Sequence, residues 1–196
     1  MNYGTVARGF GWLLNGMLKD AGIGRDVRRS VRDEYRRIVE RSGDIGSRNN
    51  LLTSYVFAAY FIAMCRNTGL TPEENLGILQ EGMDRSHIVR MFMGDADSYF
   101  SERRMEERHN WAESSHLSPY KNDWEFDMVE VEGDGFGMDY TRCGICELCR
   151  DERCPELAKY MCRTDFLLAD IIGVNLERTG TIAEGAEKCD FRYYRK

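Results

Sequence analysis

Histidine is scarce in this chain. His87, His109 and His116 are the three it has, all in the first part. Histidine-based catalysis therefore has few candidates. His109 and His116 flank Trp111 and could edge a pocket, but surface helix positions are the simpler reading. Proline is nearly missing too: only Pro72 interrupts the first 118 residues. Surplus positive charge is lacking. Lys and Arg number 27 against 33 Asp and Glu, a net charge of −6, so no global pull toward nucleic acid or an anionic membrane is expected. A long apolar run is lacking as well. "LLTSYVFAAYFIAMC", Leu51–Cys65, falls short of the ~20 residues that cross a bilayer and reads as a buried helix. The opening "MNYGTVARGFGWLLNGMLKD" has no basic segment before an apolar core and no small-residue cleavage site. No secretory signal is expected, and the location implied is cytoplasmic.

Cysteine, by contrast, is plentiful. There are seven, an odd number. In a chain without a leader this argues for a reducing compartment, with thiols, metal ligands or nucleophiles in place of bridges. Four of them fall in "CGICELCRDERCP": Cys143, Cys146, Cys149 and Cys154. Their spacing is one residue longer than the bacterial ferredoxin run. An iron–sulfur cluster is one reading, and a zinc site using Cys146, Cys149 and Cys154 is another. The local sequence resists a cluster loop, because it is rich in helix formers and Cys146 and Cys149 would share a helical face. Pro155 could open a fresh turn.

The chain has two grammars. Residues 1–118 read as helical and 119–196 as a cysteine-rich α+β region, the two forming one integrated domain. A first helix is expected over 3–20. In "GRDVRRSVRDEYRRIVERSG", Val27, Val31, Tyr35, Ile38 and Val39 form one stripe. The opposite arginine face, interleaved with Asp33 and Glu34, reads as solvated and braced by i,i+4 pairs in preference to a phosphate site. Gly43 is a stop signal, and a helix over 50–67 follows. Thr71, Pro72 and Glu74 mark the next helix start. Shorter helices are expected near 86–93 and 95–114. From Trp124 the pattern alternates: Trp124, Phe126 and Met128, a Gly-Asp-Gly turn, then Phe136, Met138 and Tyr140, a hairpin. Residues 145–172 read as helical, and strands are expected at 174–182 and 189–195. The class is α+β, with the N-terminal helical region packed on a C-terminal β-β-α-β-β antiparallel sheet.

That topology brings sulfurs together. Cys143 closes the second strand, Cys189 opens the last, and Cys162 and Asp165 share a helical face. They form either a site or four buried core positions.

The tail "LERTGTIAEGAEKCDFRYYRK", with "CRTD" at 162–165 and a cysteine at the strand end, resembles the L-2-amino-thiazoline-4-carboxylic acid hydrolase family. The matching residues are Arg178 to Ala183, Gly185 and Cys189 to Arg192, with Cys162, Asp165 and Cys143 upstream. "DIGSRNNL" is similar to the family's turn, giving Gly46 and Asn49. The layout also resembles the 4-vinyl reductase domain, a small-molecule-binding module. The resemblance implies a cytoplasmic enzyme acting on a small molecule. The founding reaction hydrolyses a thiazoline ring at the carbon between nitrogen and sulfur, yielding N-carbamoyl-cysteine. Cys146, Cys149 and Cys154 are additions to both patterns.

Cys143, Cys162, Asp165 and Cys189 are thus the candidate catalytic residues. A thiolate could attack directly, or Cys143, Cys162 and Cys189 could hold zinc that activates water. Asp165 would serve as base, fourth ligand or water-orienting group. Arg178, Thr181 and Asn49 are candidate substrate contacts, and Arg178 or Arg192 suits a substrate carboxylate. Asp190 points to the opposite strand face from Cys189 and reads as structural. A homodimer is the expected assembly, with a small-molecule substrate and neither nucleic acid nor membrane as partner. The competing reading is a ligand- or metal-binding sensor without turnover.

Overall fold

The structure is a computed structural model that describes residues 5–43, 50–85 and 94–196. By contacts the chain divides into two compact units, Met1–Arg85 with Leu148–Leu157, and Ser86–Glu147 with Ala158–Lys196.

The first unit contains α1 (Thr5–Asp20), α2 (Arg25–Ser42), α3 (Asn50–Asn67) and α4 (Pro72–Arg85). Helix α3 packs against the other three and is buried without break from Ser54 to Met64. A helix apolar on all sides belongs inside a core, as "LLTSYVFAAYFIAMC" suggests. Helix α2 buries Val27, Val31, Tyr35 and Ile38, and also Glu34. The arginine-face reading had left Glu34 in solvent. Instead it pairs with Arg37 at 2.8 Å and with Arg66 of α3. Gly43 stops α2 with φ 71° and donates its N–H to Val39 O at 3.1 Å; an L side chain there would be strained. Helix α4 starts with a reciprocal capping box. Thr71 N–H donates to Glu74 Oε2 at 2.8 Å, and Glu74 N–H donates to Thr71 Oγ1 at 3.2 Å.

In the second unit, α5 (Ala96–Tyr99) and α6 (Glu102–Ser115) stand where one helix was expected over 95–114. The expected helix at 86–93 lies outside the described residues, as do His87, Gly46 and Asn49. The chain breaks at Phe100, whose ring meets Phe136 edge-on at 5.4 Å. Four strands follow: β1 (Glu125–Val129), β2 (Gly135–Arg142), β3 (Val174–Glu177) and β4 (Cys189–Arg195). They form one antiparallel sheet in the order β1-β2-β4-β3. The α+β class read from the sequence holds, with a helical N-terminal region and the sheet in the C-terminal half.

Between β2 and β3 run α7 (Gly144–Asp151) and α8 (Pro155–Ile172). The expected single helical stretch is split by Arg153, at φ 56°, and Pro155 opens α8 at the position proline suits best. Strand β3 ends at Glu177, short of the expected 182. Asp190 Oδ1 accepts the N–H groups of Thr179 and Gly180 at 3.0 and 2.9 Å, which turns the chain away from the ladder.

Period-two alternation places Cys189, Phe191 and Tyr193 on the buried face of β4. Cross-strand partners stack there: Phe126 on Tyr140 at 4.9 Å and Phe136 on Tyr193 at 5.2 Å. Ala112 of α6 with Ala169 and Ile172 of α8 complete the core.

Candidate functional site

A cavity of about 180 Å³ lies within the second unit. The end of β2, the start of β4 and one face of α8 converge there. Cys143, Cys162, Asp165 and Cys189 all line it. The rest of the wall is apolar or aromatic: Trp111, Trp124, Tyr140, Phe191, Tyr193, Ile145 and Met161. At ~30 Å³ per liquid water, this volume holds about six waters. It is large enough for a small ring.

Cys143 precedes the first residue of α7 and acts as its N-cap. Its carbonyl accepts the first helical bond, from Glu147 N–H at 3.1 Å. Its sulfur takes the place of the usual cap oxygen. The Cys146 thiol and the backbone N–H groups of Cys146 and Ile145 lie beside that sulfur and interact with it. The Cys146 hydrogen bond is the chief reason the Cys143 thiol sits below its ordinary pKa, against burial and the Asp165 charge. The same contact and burial push Cys146 up. Gly144 is needed for space: a Cβ there would lie 3.0 Å from the Asn122 carbonyl.

The other two cavity thiols behave differently. Burial, aided by the Asp165 charge, pushes Cys162 up to about 12. Burial pushes Cys189 up to about 11, although its sulfur accepts Ile182 N–H at 3.2 Å. Both are neutral thiols at pH 7. Burial also lifts Asp165 to about 7, even though Arg178 opposes the shift. Arg178 donates to Asp165 Oδ2 at 3.2 Å and to Cys162 O at 3.1 Å. Its side chain is 7% exposed, between the rings of Phe166 and Phe191 at 4.9 and 5.2 Å. Arg178 thus holds the carboxyl in place. Two phenols add to the wall. Tyr140 is held neutral by burial, and so is Tyr193, whose hydroxyl meets that of Tyr99.

Not every candidate is brought here. Thr181 is fully buried and caps the turn Ile182–Glu184, donating to Glu184 Oε2 at 3.0 Å and accepting Glu184 N–H. Arg192 pairs with Asp139 at 2.7 Å on the sheet's other face. Cys149 and Cys154 are buried within the first unit. His109 is exposed, and His116 lies 3.0 Å from Asp127. The four-cysteine run folds as α7 and the turn after it. Among the described residues, no three His, Cys, Asp or Glu side chains are grouped to hold a metal ion. Sequence reasoning passed over Tyr140, Tyr193, Trp124 and the Cys146 thiol bond. The alternation marks these aromatics as inward-facing but says nothing of which inward positions border a void.

No curated protein matches the chain. Among solved structures, an Fe(II) unliganded H-NOX protein from K. algicida is 10% identical, with a TM-score of 0.40 over 95% of each chain. An H-NOX protein from S. oneidensis in the Fe(II)NO state is 12% identical, with a TM-score of 0.36 over 95% of this chain and 98% of its own. Likeness at that level carries no argument. The model of the L-2-amino-thiazoline-4-carboxylic acid hydrolase family, by contrast, matches residues 49–193. That span takes in α3, α4, β1 to β3, most of β4 and every residue of the cavity wall, and the chain belongs to this family.

Proposed function

We propose that the cavity is the catalytic site of a hydrolase that opens a small thiazoline-like ring, with Cys143 as nucleophile and Asp165 as proton carrier. One observation carries the reading: Cys143, at the N-terminus of α7 where helix N–H groups favour a thiolate, shares one cavity with Asp165, a carboxyl that burial raises to about 7. A nucleophile with an activated thiolate and an acid–base group titrating at the working pH is the pairing that covalent hydrolysis needs. Family membership supports the same class of chemistry.

The steps balance without a further reactant than water. The Cys143 thiolate attacks the ring carbon between nitrogen and sulfur. The carbon–sulfur ring bond breaks, and protonated Asp165 gives its proton to the departing sulfur. Water then attacks the carbon now bound to Cys143, with the Asp165 carboxylate taking its proton. The Cys143–carbon bond breaks, and the thiolate and the acid are restored. N–H groups at the start of α7 stabilise the thiolate before attack and after release. Arg178 positions Asp165 throughout and is not counted as a substrate contact here.

A second reading is a module that retains a ligand without turning it over. The aromatic wall of Trp111, Trp124, Tyr140, Phe191 and Tyr193 favours it. Steady-state assay with a 2-aminothiazoline carboxylate separates the two. The hydrolase reading expects release of a free thiol, lost by ~10³-fold or more in Cys143→Ser. Binding with no thiol release by the wild type would establish the second reading.

A further inference from the structure

Cys146 is unused by the reaction above, yet its thiol lies beside the Cys143 sulfur. The two stand three apart at the start of an eight-residue helix, as "CGIC". Residues at that spacing on a helix have Cβ atoms ~5–6 Å apart, and a disulfide needs ~3.5–4.5 Å. A small adjustment of the first helical turn closes the gap. Cys143 is an N-terminal thiol with backbone N–H donors aimed at it, and it opens on a cavity of about 180 Å³. Cys146 is partly exposed and unbridged. One thiol is set to attack and the other stands behind it to resolve the product.

We propose that Cys143 and Cys146 form a redox couple that exchanges with small-molecule disulfides. The Cys143 thiolate attacks one sulfur of the small disulfide, forming a mixed disulfide and expelling one small thiolate. Cys146 loses its proton and attacks the Cys143 sulfur, expelling the second. The protein is oxidised by two electrons, and the small disulfide is reduced to two thiols. A reducing dithiol reverses both steps. The couple stands independently of the hydrolase reading. Its consequence for turnover rests on that reading: the disulfide form has no free nucleophile, so oxidation switches hydrolysis off.

The test uses the full chain and hydroxyethyl disulfide, a probe small enough for the cavity. Wild type should lose two hydrogens by intact mass, retain no hydroxyethylthio group, and give a Cys143–Cys146 linked peptide that dithiothreitol abolishes. Cys146→Ser should stop at a stable mixed disulfide on Cys143. Cys143→Ser should form neither at a comparable rate. A retained hydroxyethylthio group on wild type, or a disulfide mapping to any other pair, would overturn the couple. Oxidation of the mapped pair in a protein without hydrolase activity would uphold the couple and reject the hydrolase reading alone.

Discussion

At the scale of single residues, the site turns on two groups displaced in useful directions. Cys143 is lowered by a neighbouring thiol and by backbone donors, and Asp165 is raised to about 7 by burial. The attacking form needs Cys143 deprotonated and Asp165 protonated. The rate kcat/KM should therefore rise as Cys143 ionises and fall as pH passes about 7. In Asp165→Asn the falling limb should vanish, with kcat down ~10²–10⁴-fold. Stability has a matching signature. The unfolded carboxyl titrates near ~3.9, and the folded one near 7. Between those values the folded state keeps a proton that the unfolded state has released. Raising the pH across that window should lower the melting temperature, and the slope should flatten above it. Asp165→Asn should remove that contribution to the slope, whatever it does to absolute stability by leaving Arg178 without its carboxylate. The convergence of Cys143, Cys162, Asp165 and Cys189 was legible in the sequence, because strand alternation and i,i+3 helical spacing fix which way each points. Thr181 was not legible, since a buried capping hydroxyl and a substrate contact look the same in a motif. Nor was Cys146: nothing in a spacing tells which of three extra cysteines turns toward the first.

At the scale of elements, Cys143 is the cap of α7 and the proposed nucleophile, and the two roles separate by substitution. Cys143→Ser keeps an acceptor at the N-cap of α7, whereas Cys143→Ala removes it. Both should be inactive. Thermal denaturation should find the alanine variant less stable than the serine variant by about 1 kcal/mol. The reciprocal box at α4 gives a second check: Thr71→Ala should cost about 1 kcal/mol, with turnover unchanged. That box was readable as "TPEE", because each of its residues has one local role. The β1–β2 hairpin and the start of β4 were readable for the same reason. The early end of β3 was not, because it depends on the Asp190 side chain, ten and eleven residues along, capturing the amides of Gly180 and Thr179.

At the scale of the whole molecule, the chain crosses between its two compact units at 147/148 and again at 157/158, inside the cysteine run and the helix after it. This sorts the sulfurs. Cys143, Cys146, Cys162 and Cys189 belong to the unit with the sheet, and Cys65, Cys149 and Cys154 to the helical unit. A run that reads as one four-cysteine unit is therefore two pairs with different surroundings. Composition and charge could not show this, because it depends on which residues of α7 belong to which unit. Among the described residues, no helix is long and apolar enough to cross a membrane. The apolar run of α3 serves the first unit's core instead.

The central claim is that Cys143 is the activated thiol of the cavity. Alkylation of the native reduced protein with limiting iodoacetamide at pH 7, followed by peptide mapping, tests it without knowledge of the substrate. The account predicts that Cys143 is modified first, at a rate that levels off below the pH at which an ordinary thiol ionises. Modification of Cys162 or Cys189 ahead of Cys143 would contradict it.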